Sequence, residues 1–342
     1  MAITVRHEEI LERVTPEEPR HSEAAVIGLQ DGRLLLAHSC FTSGHSDFSQ
    51  AHIAGRTSCD GGRTWSERFV LVANEAEWNT YNPSFLRLPS GLLLLFYFRQ
   101  NGWDDVRQYV RTSTDDGKTW GEARCITPDK VRQFMHNDRA VLLRSGRIVL
   151  PIAWTPTHTT GPHAYQSLCW FSDDEGQTWQ RGRGEISLPK RGAMEPAVVE
   201  RQDGSLLMLI RTQLGHQYQA LSYDGGDTWT GVRPAYDLVG SEAPANIKRI
   251  PSTGDLLVIW NHVFDPFRPH YGRTPLNSAI SRDEGERWTN IRTLEREPDH
   301  AYAYPSIYFQ GDEVLLTYYR SQEETVGWEL KIKILPVAWF YE

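Results

Sequence analysis

Apolar residues in this chain come in short runs broken by glycine turns, and the same hairpin pattern recurs six times. The first three hairpins pair Ala24–Leu29 with Leu34–Leu36 about Gly32, Pro83–Leu88 with Leu92–Phe98 about Gly91, and Ala140–Leu143 with Ile148–Leu150 about Gly146. The others pair Pro196–Val199 with Leu206–Ile210 about Gly204, Ala245–Ile250 with Leu256–Trp260 about Gly254, and Pro305–Phe309 with Val314–Tyr318 about Gly311. Near-continuous apolar runs of this length, bounded by Gly turns, predict buried strands, and helical periodicity is hard to find anywhere.

A second pattern punctuates the first. The phrase Ser-x-Asp-x-Gly-x-Thr-Trp stands at Ser58–Trp65, Ser113–Trp120, Ser172–Trp179, Ser222–Trp229 and Ser281–Trp288, with Arg287 replacing Thr in the last copy. A period of 50–59 residues signals a radial or linear array of small sheets. Short Asp and Ser side chains bond nearby amides in a turn, Gly takes a positive φ, and Trp buries a large ring between units. These five carboxylates are therefore expected to be structural, not catalytic. Two hairpin strands, one leading into the phrase and one leaving it make a four-stranded unit. The predicted fold is all-β, a six-bladed β-propeller with four-stranded antiparallel blades, in a single domain over residues 1–342. The sixth blade lacks the phrase; Leu330–Trp339 is expected to supply its third strand, and Ile3–Arg6 to close the ring.

Composition narrows the partners. With 36 basic and 44 acidic residues the net charge is −8, which argues against a general nucleic-acid or membrane-surface binder. A small anionic substrate, which sees only local charge, stays compatible. No stretch approaches the ~20 apolar residues of a membrane span. The start, residues 1–9, has no apolar signal-peptide core, so the expected compartment is the cytoplasm; a chain already trimmed of a leader would start in the same way. Cys40, Cys59, Cys125 and Cys169 show no CxxC spacing and read as reduced fillers. No metal-ligand spacing stands out, and no cofactor is expected. His158 and His163, in a Pro/Thr/Gly-rich stretch, read as loop residues.

Aligning the hairpins locates a functional face. The innermost strands of a propeller surround its axis, so their first residues form a ring at one mouth. Counting nine residues back from each hairpin Gly gives Glu23, Asn82, Asn137, Glu195 and Ala245, and the shorter sixth hairpin begins at Tyr304. The return strands reach the same mouth near Arg99, Trp154, Arg211 and Asn261. Apolar residues are the default at such positions, so a convergent polar ring marks a binding or catalytic site.

The turn phrase is the Asp box, and with the six hairpins the whole chain resembles the sialidase (neuraminidase) superfamily. That resemblance implies a glycan substrate carrying a carboxylate, held by Arg20, Arg211 and Arg273, whose planar forks pair bidentately with an oxyanion. It implies Tyr304 as nucleophile, with Tyr302 a rival two residues away, and Glu195 in Met194-Glu195-Pro196 as its base. The pairing has a physical reason: sialic acid bears its carboxylate on the anomeric carbon, which repels an anionic nucleophile but not a neutral phenol. Asp47, on the loop Ser43-Gly44-His45-Ser46-Asp47-Phe48-Ser49, takes the place of the acid.

The chain departs from the family pattern at three points. The usual Arg-Ile-Pro reads Arg20-His21-Ser22-Glu23. The last-blade Glu that commonly supports the first arginine is absent, and Tyr318-Tyr319-Arg320 stands near its place. His136-Asn137-Asp138-Arg139 is a charged cluster outside the pattern, so Glu23, Asp138 and Arg139 form an alternative acid/base set. The leading reading is an exo-acting glycoside hydrolase releasing a terminal sialic acid or related acidic sugar. One alternative is a lyase or hydrolase for uronic-acid-containing glycans, using His136, His158 or His163 and a Tyr; another is a non-catalytic glycan- or protein-binding propeller.

Overall fold

The computed structural model describes residues 4–155, 164–267, 272–322 and 327–342; His158 and His163 lie outside them. Blade 1 comprises Arg20–Gly28, Leu34–Phe41, Ala51–Ser58 and Phe69–Val72. Blade 2 comprises Asn79–Arg87, Leu93–Gly102, Asp105–Ser113 and Arg124–Cys125. In blade 3 the innermost strand is split into Arg132–Phe134 and Val141–Leu142, followed by Ile148–Thr155, Gln166–Ser172 and the short pieces Gln180–Arg181 and Ile186–Ser187. Blades 4 and 5 are regular four-stranded antiparallel sheets, spanning Met194–Val239 and Asn246–Glu295.

Blade 6 corrects the expected ring closure. Its first strands are His300–Gln310 and Glu313–Gln322, and its third is Trp328–Pro336. Val337–Trp339, expected to end that strand, instead belong to a 3-10 turn, Val337–Tyr341, that buries Trp339 and Phe340. The outermost strand is His7–Glu12, antiparallel to Trp328–Pro336, and the Arg6 amide just before it donates to the Ile334 carbonyl at 2.9 Å, so closure runs on from Arg6 through this strand; Ile3 lies outside the described residues. The first and last strands thus share one sheet, which leaves the propeller no free seam.

The core lies between blades. Leu94 and Phe96 of blade 2 pack on Leu150 and Ile152 of blade 3, and Leu207 and Leu209 of blade 4 pack with Val258 and Trp260 of blade 5. Ala24 and Leu36 of blade 1 meet Leu315 and Ile332 of blade 6, completing the circle. The Ser-x-Asp turns work as their chemistry predicts. Ser58 Oγ accepts from the Gly62 amide at 2.9 Å, while the Asp60 carboxylate accepts from the Thr64 amide at 2.9 Å and its hydroxyl at 2.7 Å. Those bonds hold the Asp60, Asp115 and Asp174 carboxyls at about 2. In the fifth copy Arg287 keeps the amide bond to Asp283, at 2.9 Å, but has no hydroxyl to add. None of these aspartates lines the central pocket.

Behind the pocket, the N-terminal strand is pinned by buried polar groups. Glu12 accepts from Arg56 Nε at 2.6 Å and sits 3.3 Å from His38, beside the fully buried His21. Burial, helped by His38, pushes the His21 imidazole down to about 3. An unfolded His titrates near 6.5, so between these values the unfolded chain binds the extra proton, and stability falls as pH falls. Urea titrations at pH 7 and pH 4.5 are expected to differ by roughly 2–3 kcal/mol through this group, and His21→Gln shrinks that difference. An unchanged difference in the variant would assign the acid sensitivity elsewhere.

Candidate active site

At five of the six innermost strands the backbone reverses to a positive φ at a non-glycine residue: Glu23 (41°), Asn82 (63°), Asp138 (56°), Glu195 (42°) and Tyr304 (55°). In blades 1, 2, 4 and 6 the strand register slips at the same point, a β-bulge. Each such residue costs of order 1–3 kcal/mol and persists where the fold over-determines it. Proline follows at positions 83, 196 and 305, where a bulge leaves no ladder bond for an N–H to make. The bulges turn Glu23, Asn82, Glu195 and Tyr304 into one pocket, which Arg20, Asp47, Arg211 and Arg273 also line.

The charges are paired tightly. Arg211 Nη1 donates to both Glu195 oxygens at 2.7 Å and to the Tyr304 hydroxyl at 3.4 Å. His136 Nε2 lies 3.1 Å from Glu195 Oε1, and its ring stacks on Tyr304 with centroids 4.9 Å apart. Burial pushes the Glu195 carboxyl up, but Arg211 and His136 outweigh it and hold the group well below the usual carboxylate range. The Tyr304 phenol moves the opposite way, raised by burial and by the neighbouring Glu195 charge. Arg273 stacks 5.5 Å from the Tyr304 ring and donates a short hydrogen bond to the Tyr319 hydroxyl. Among the described residues, no carboxylate forms an ion pair with Arg273.

Arg20 is fully buried between Phe41 and Trp328, at 4.1 and 3.9 Å from their ring centroids. Its guanidinium donates to Glu23 Oε1 and to Asp47 Oδ1, both at 2.6 Å. Glu23 thus supports Arg20 from its own strand, which accounts for the missing glutamate in blade 6. Asp47 is 52% exposed at the pocket mouth, yet enough protein surrounds it that burial pushes its carboxyl up; Arg20 more than offsets this and leaves it below its ordinary value. The Asp47 loop is not loose: Asn79 Nδ2 donates to the Asp47 and Ser49 carbonyls at 2.8 and 2.9 Å.

Four expected pocket residues lie elsewhere. In blade 3 the positive-φ residue is Asp138, in the turn between the two pieces of the split strand and one residue beyond Asn137, and it does not line the pocket. Asp138 accepts from Lys248 Nζ at 2.5 Å, Asn246 Nδ2 at 3.0 Å and the Ile307 amide at 2.8 Å, a structural knot. Arg139 donates to the Ala245 carbonyl at 2.7 Å, so the alternative set of Glu23, Asp138 and Arg139 is not assembled in one place. Arg99 pairs with Glu75 and stacks on Tyr109, and the Tyr302 hydroxyl donates to Glu297 at 3.0 Å, both outside the pocket lining. Asn137 ties the innermost strands together, donating to the Ala24 and Tyr304 carbonyls at 2.8 and 3.2 Å.

The structure adds Tyr81, Phe98, Arg132, Phe134, Tyr165, Arg191 and Trp328 to the lining, and Glu242 behind Arg211. One signal for part of this set was available: Arg132, Phe134 and His136 alternate with period two, so they share a face. Among the described residues no three metal-type donors converge inside the pocket. Glu12, His21 and His38 do converge behind Arg20, a grouping that sequence spacing did not reveal, but Glu12 is already bound to Arg56.

A six-bladed propeller with Ser-x-Asp turns and an arginine-lined axial pocket defines the sialidase-like class. Residues 51–316 match the BNR repeat-like domain, and the chain belongs to that family, within the sialidase superfamily. It is 28% identical to a sialidase of Micromonospora viridifaciens over 256 residues, covering 68% of this chain and 39% of that protein. It is 27% identical to a sialidase of Clostridium perfringens over 232 residues, covering 60% of this chain and 59% of that protein. The chain thus spans well under two thirds of these relatives' length. In fold it is similar to a Dyadobacter fermentans protein of unknown function (TM-score 0.78, 19% identity, 98% of this chain and 99% of that one). The leech intramolecular trans-sialidase is similar too (TM-score 0.76, 15% identity, 98% of this chain and 71% of that one).

Proposed function

We propose that this chain is an exo-acting glycosidase that releases a terminal sialic acid or a related acidic sugar with retention of anomeric configuration. The observation that carries the reading is Arg273, a half-buried pocket guanidinium with no ion-pair partner among the described residues, beside a phenol that shares Arg211 with a carboxylate. A half-buried pocket cation left so is a site for a substrate oxyanion. In the proposed mechanism the sugar carboxylate binds Arg273, Arg211 and Arg20. By drawing Arg211 away from Glu195, it raises the basicity of that carboxylate. Tyr304 Oη then attacks the anomeric carbon, its proton passes to Glu195, and the leaving oxygen takes a proton from Asp47. The substrate's negative charge also favours protonated Asp47, which Arg20 otherwise holds ionised. Water, deprotonated by Asp47, then displaces Tyr304, which recovers its proton from Glu195.

The test is a panel of aryl glycosides of sialic and uronic acids, with NMR of the first-formed anomer. Retention on a sialoside is expected; inversion sinks the tyrosine mechanism. Asp47→Ala is expected to slow substrates with poor leaving groups far more than activated aryl glycosides, which need little protonation. Equal slowing of both would remove Asp47 as the acid. One observation favours a second reading, a lyase for uronic-acid-containing glycans: the contact of His136 with Glu195 and Tyr304 brings a His and a Tyr together beside the arginines. Ultraviolet absorbance from an unsaturated product would select it.

A further inference from the structure

Five guanidiniums line the pocket, and three are matched by carboxylates: Arg20 by Glu23 and Asp47, Arg191 by Glu242, and Arg211 by Glu195. Arg132, like Arg273, forms no ion pair among the described residues. Arg132 is 8% exposed, and its close partners are neutral. Its Nε donates to the Tyr165 hydroxyl at 3.0 Å, and its guanidinium lies 5.3 Å from the Phe134 ring centroid. The Gln100 amide, with its oxygen turned toward Arg132, accepts from Nη1 at 3.1 Å. Asp47 acts on Arg132 at longer range, but it is bound to Arg20. Neutral acceptors satisfy hydrogen bonds without compensating the charge, so an anion would complete the site.

The two unmatched cations stand on opposite walls. Arg132 opens blade 3 against blade 2, where its strand pairs in parallel with Val106. Arg273 stands where blade 5 meets blade 6, its carbonyl accepting from the Tyr302 amide at 2.9 Å. In a ring of six blades these two boundaries face each other across the axis. Resting on the reading that Arg273 takes the sugar carboxylate, we propose that Arg132 and Tyr165 form a second oxyanion subsite. The preferred substrate then carries a second anionic group, a sulfate ester or a carboxylate, on the sugar or on the residue it is linked to.

The full chain is assayed on pairs of aryl sialosides differing only by a sulfate ester, and on sialosides whose leaving sugar is or is not a uronate; the two arms separate sulfate from carboxylate. The doubly charged member is expected to have the higher kcat/KM. Arg132→Gln lowers the ratio of doubly to singly charged kcat/KM about 30-fold, the loss for one desolvated charge pair, and Arg132→Lys restores part of it. Arg273→Gln lowers both members and keeps the ratio. Equal losses on both members in Arg132→Gln, or no preference in the parent, overturn the second subsite and leave the glycosidase reading standing. Calorimetric titration with inorganic sulfate reads the subsite without turnover: two sites are expected in the parent and one in a folded Arg132→Gln, checked by its melting temperature. Sulfate binding that Arg132→Gln leaves unchanged overturns the proposal even where no sialoside is cleaved.

Discussion

Tyr304→Phe is expected to lower kcat on an aryl sialoside by at least ~10²–10⁴-fold, with the ring retained and the nucleophile gone. The geometry makes the loss specific. The phenyl ring left by the substitution would still stack on His136 and beside Arg273, so the pocket keeps its shape and its cations. What disappears is the oxygen that accepts from Arg211 and would bond the anomeric carbon. The opposed shifts of the Tyr304 phenol, upward, and the Glu195 carboxyl, downward, make proton transfer unfavourable in the empty site. The proton can move only as attack proceeds and as the substrate carboxylate takes Arg211. A companion Glu195→Gln variant is therefore expected to lose activity without losing substrate binding. If Tyr304→Phe keeps parental kcat while a Glu23 variant is inactive, chemistry runs through the Arg20–Glu23–Asp47 cluster instead.

Arg273→Ala is expected to cost roughly 2–5 kcal/mol in kcat/KM, as for a desolvated charge pair. Arg273→Lys recovers only part, because one ammonium cannot reproduce the planar fork. This arginine is the cleanest of the three to remove. Loss of Arg20 strands Glu23 and Asp47, and loss of Arg211 strands Glu195, so those variants mix binding with stability. Arg273 gives up a bond to the Tyr319 hydroxyl and no ion pair. Its Ala variant is thus expected to lose activity at a melting temperature equal to or above the parent's. A variant that binds and turns over its best substrate normally would end the carboxylate-clamp reading.

The sequence by itself determined the propeller and most of the pocket's inventory, because those features rest on local rules. Strand period, glycine turns and the Ser-x-Asp bonds act within a few residues, so the six hairpins and five turns could be read directly. Glu195, Tyr304, Arg211, Arg273, Arg20 and Asp47 were located through the repeat and the family resemblance, and all line one pocket. Tertiary structure alone decided which charges meet. Counting back from the hairpin glycine picked Asn137 in blade 3, but the backbone reverses to a positive φ one residue later, at Asp138, in the turn between the two pieces of the split strand. There Asp138 meets Lys248, 110 positions along the chain, and stays out of the site. Partners so distant in sequence leave no spacing signal. The same holds for the ring closure by His7–Glu12, for His136 on Glu195, and for Arg132, whose lack of a carboxylate is a property of the surrounding space and not of its neighbours in sequence.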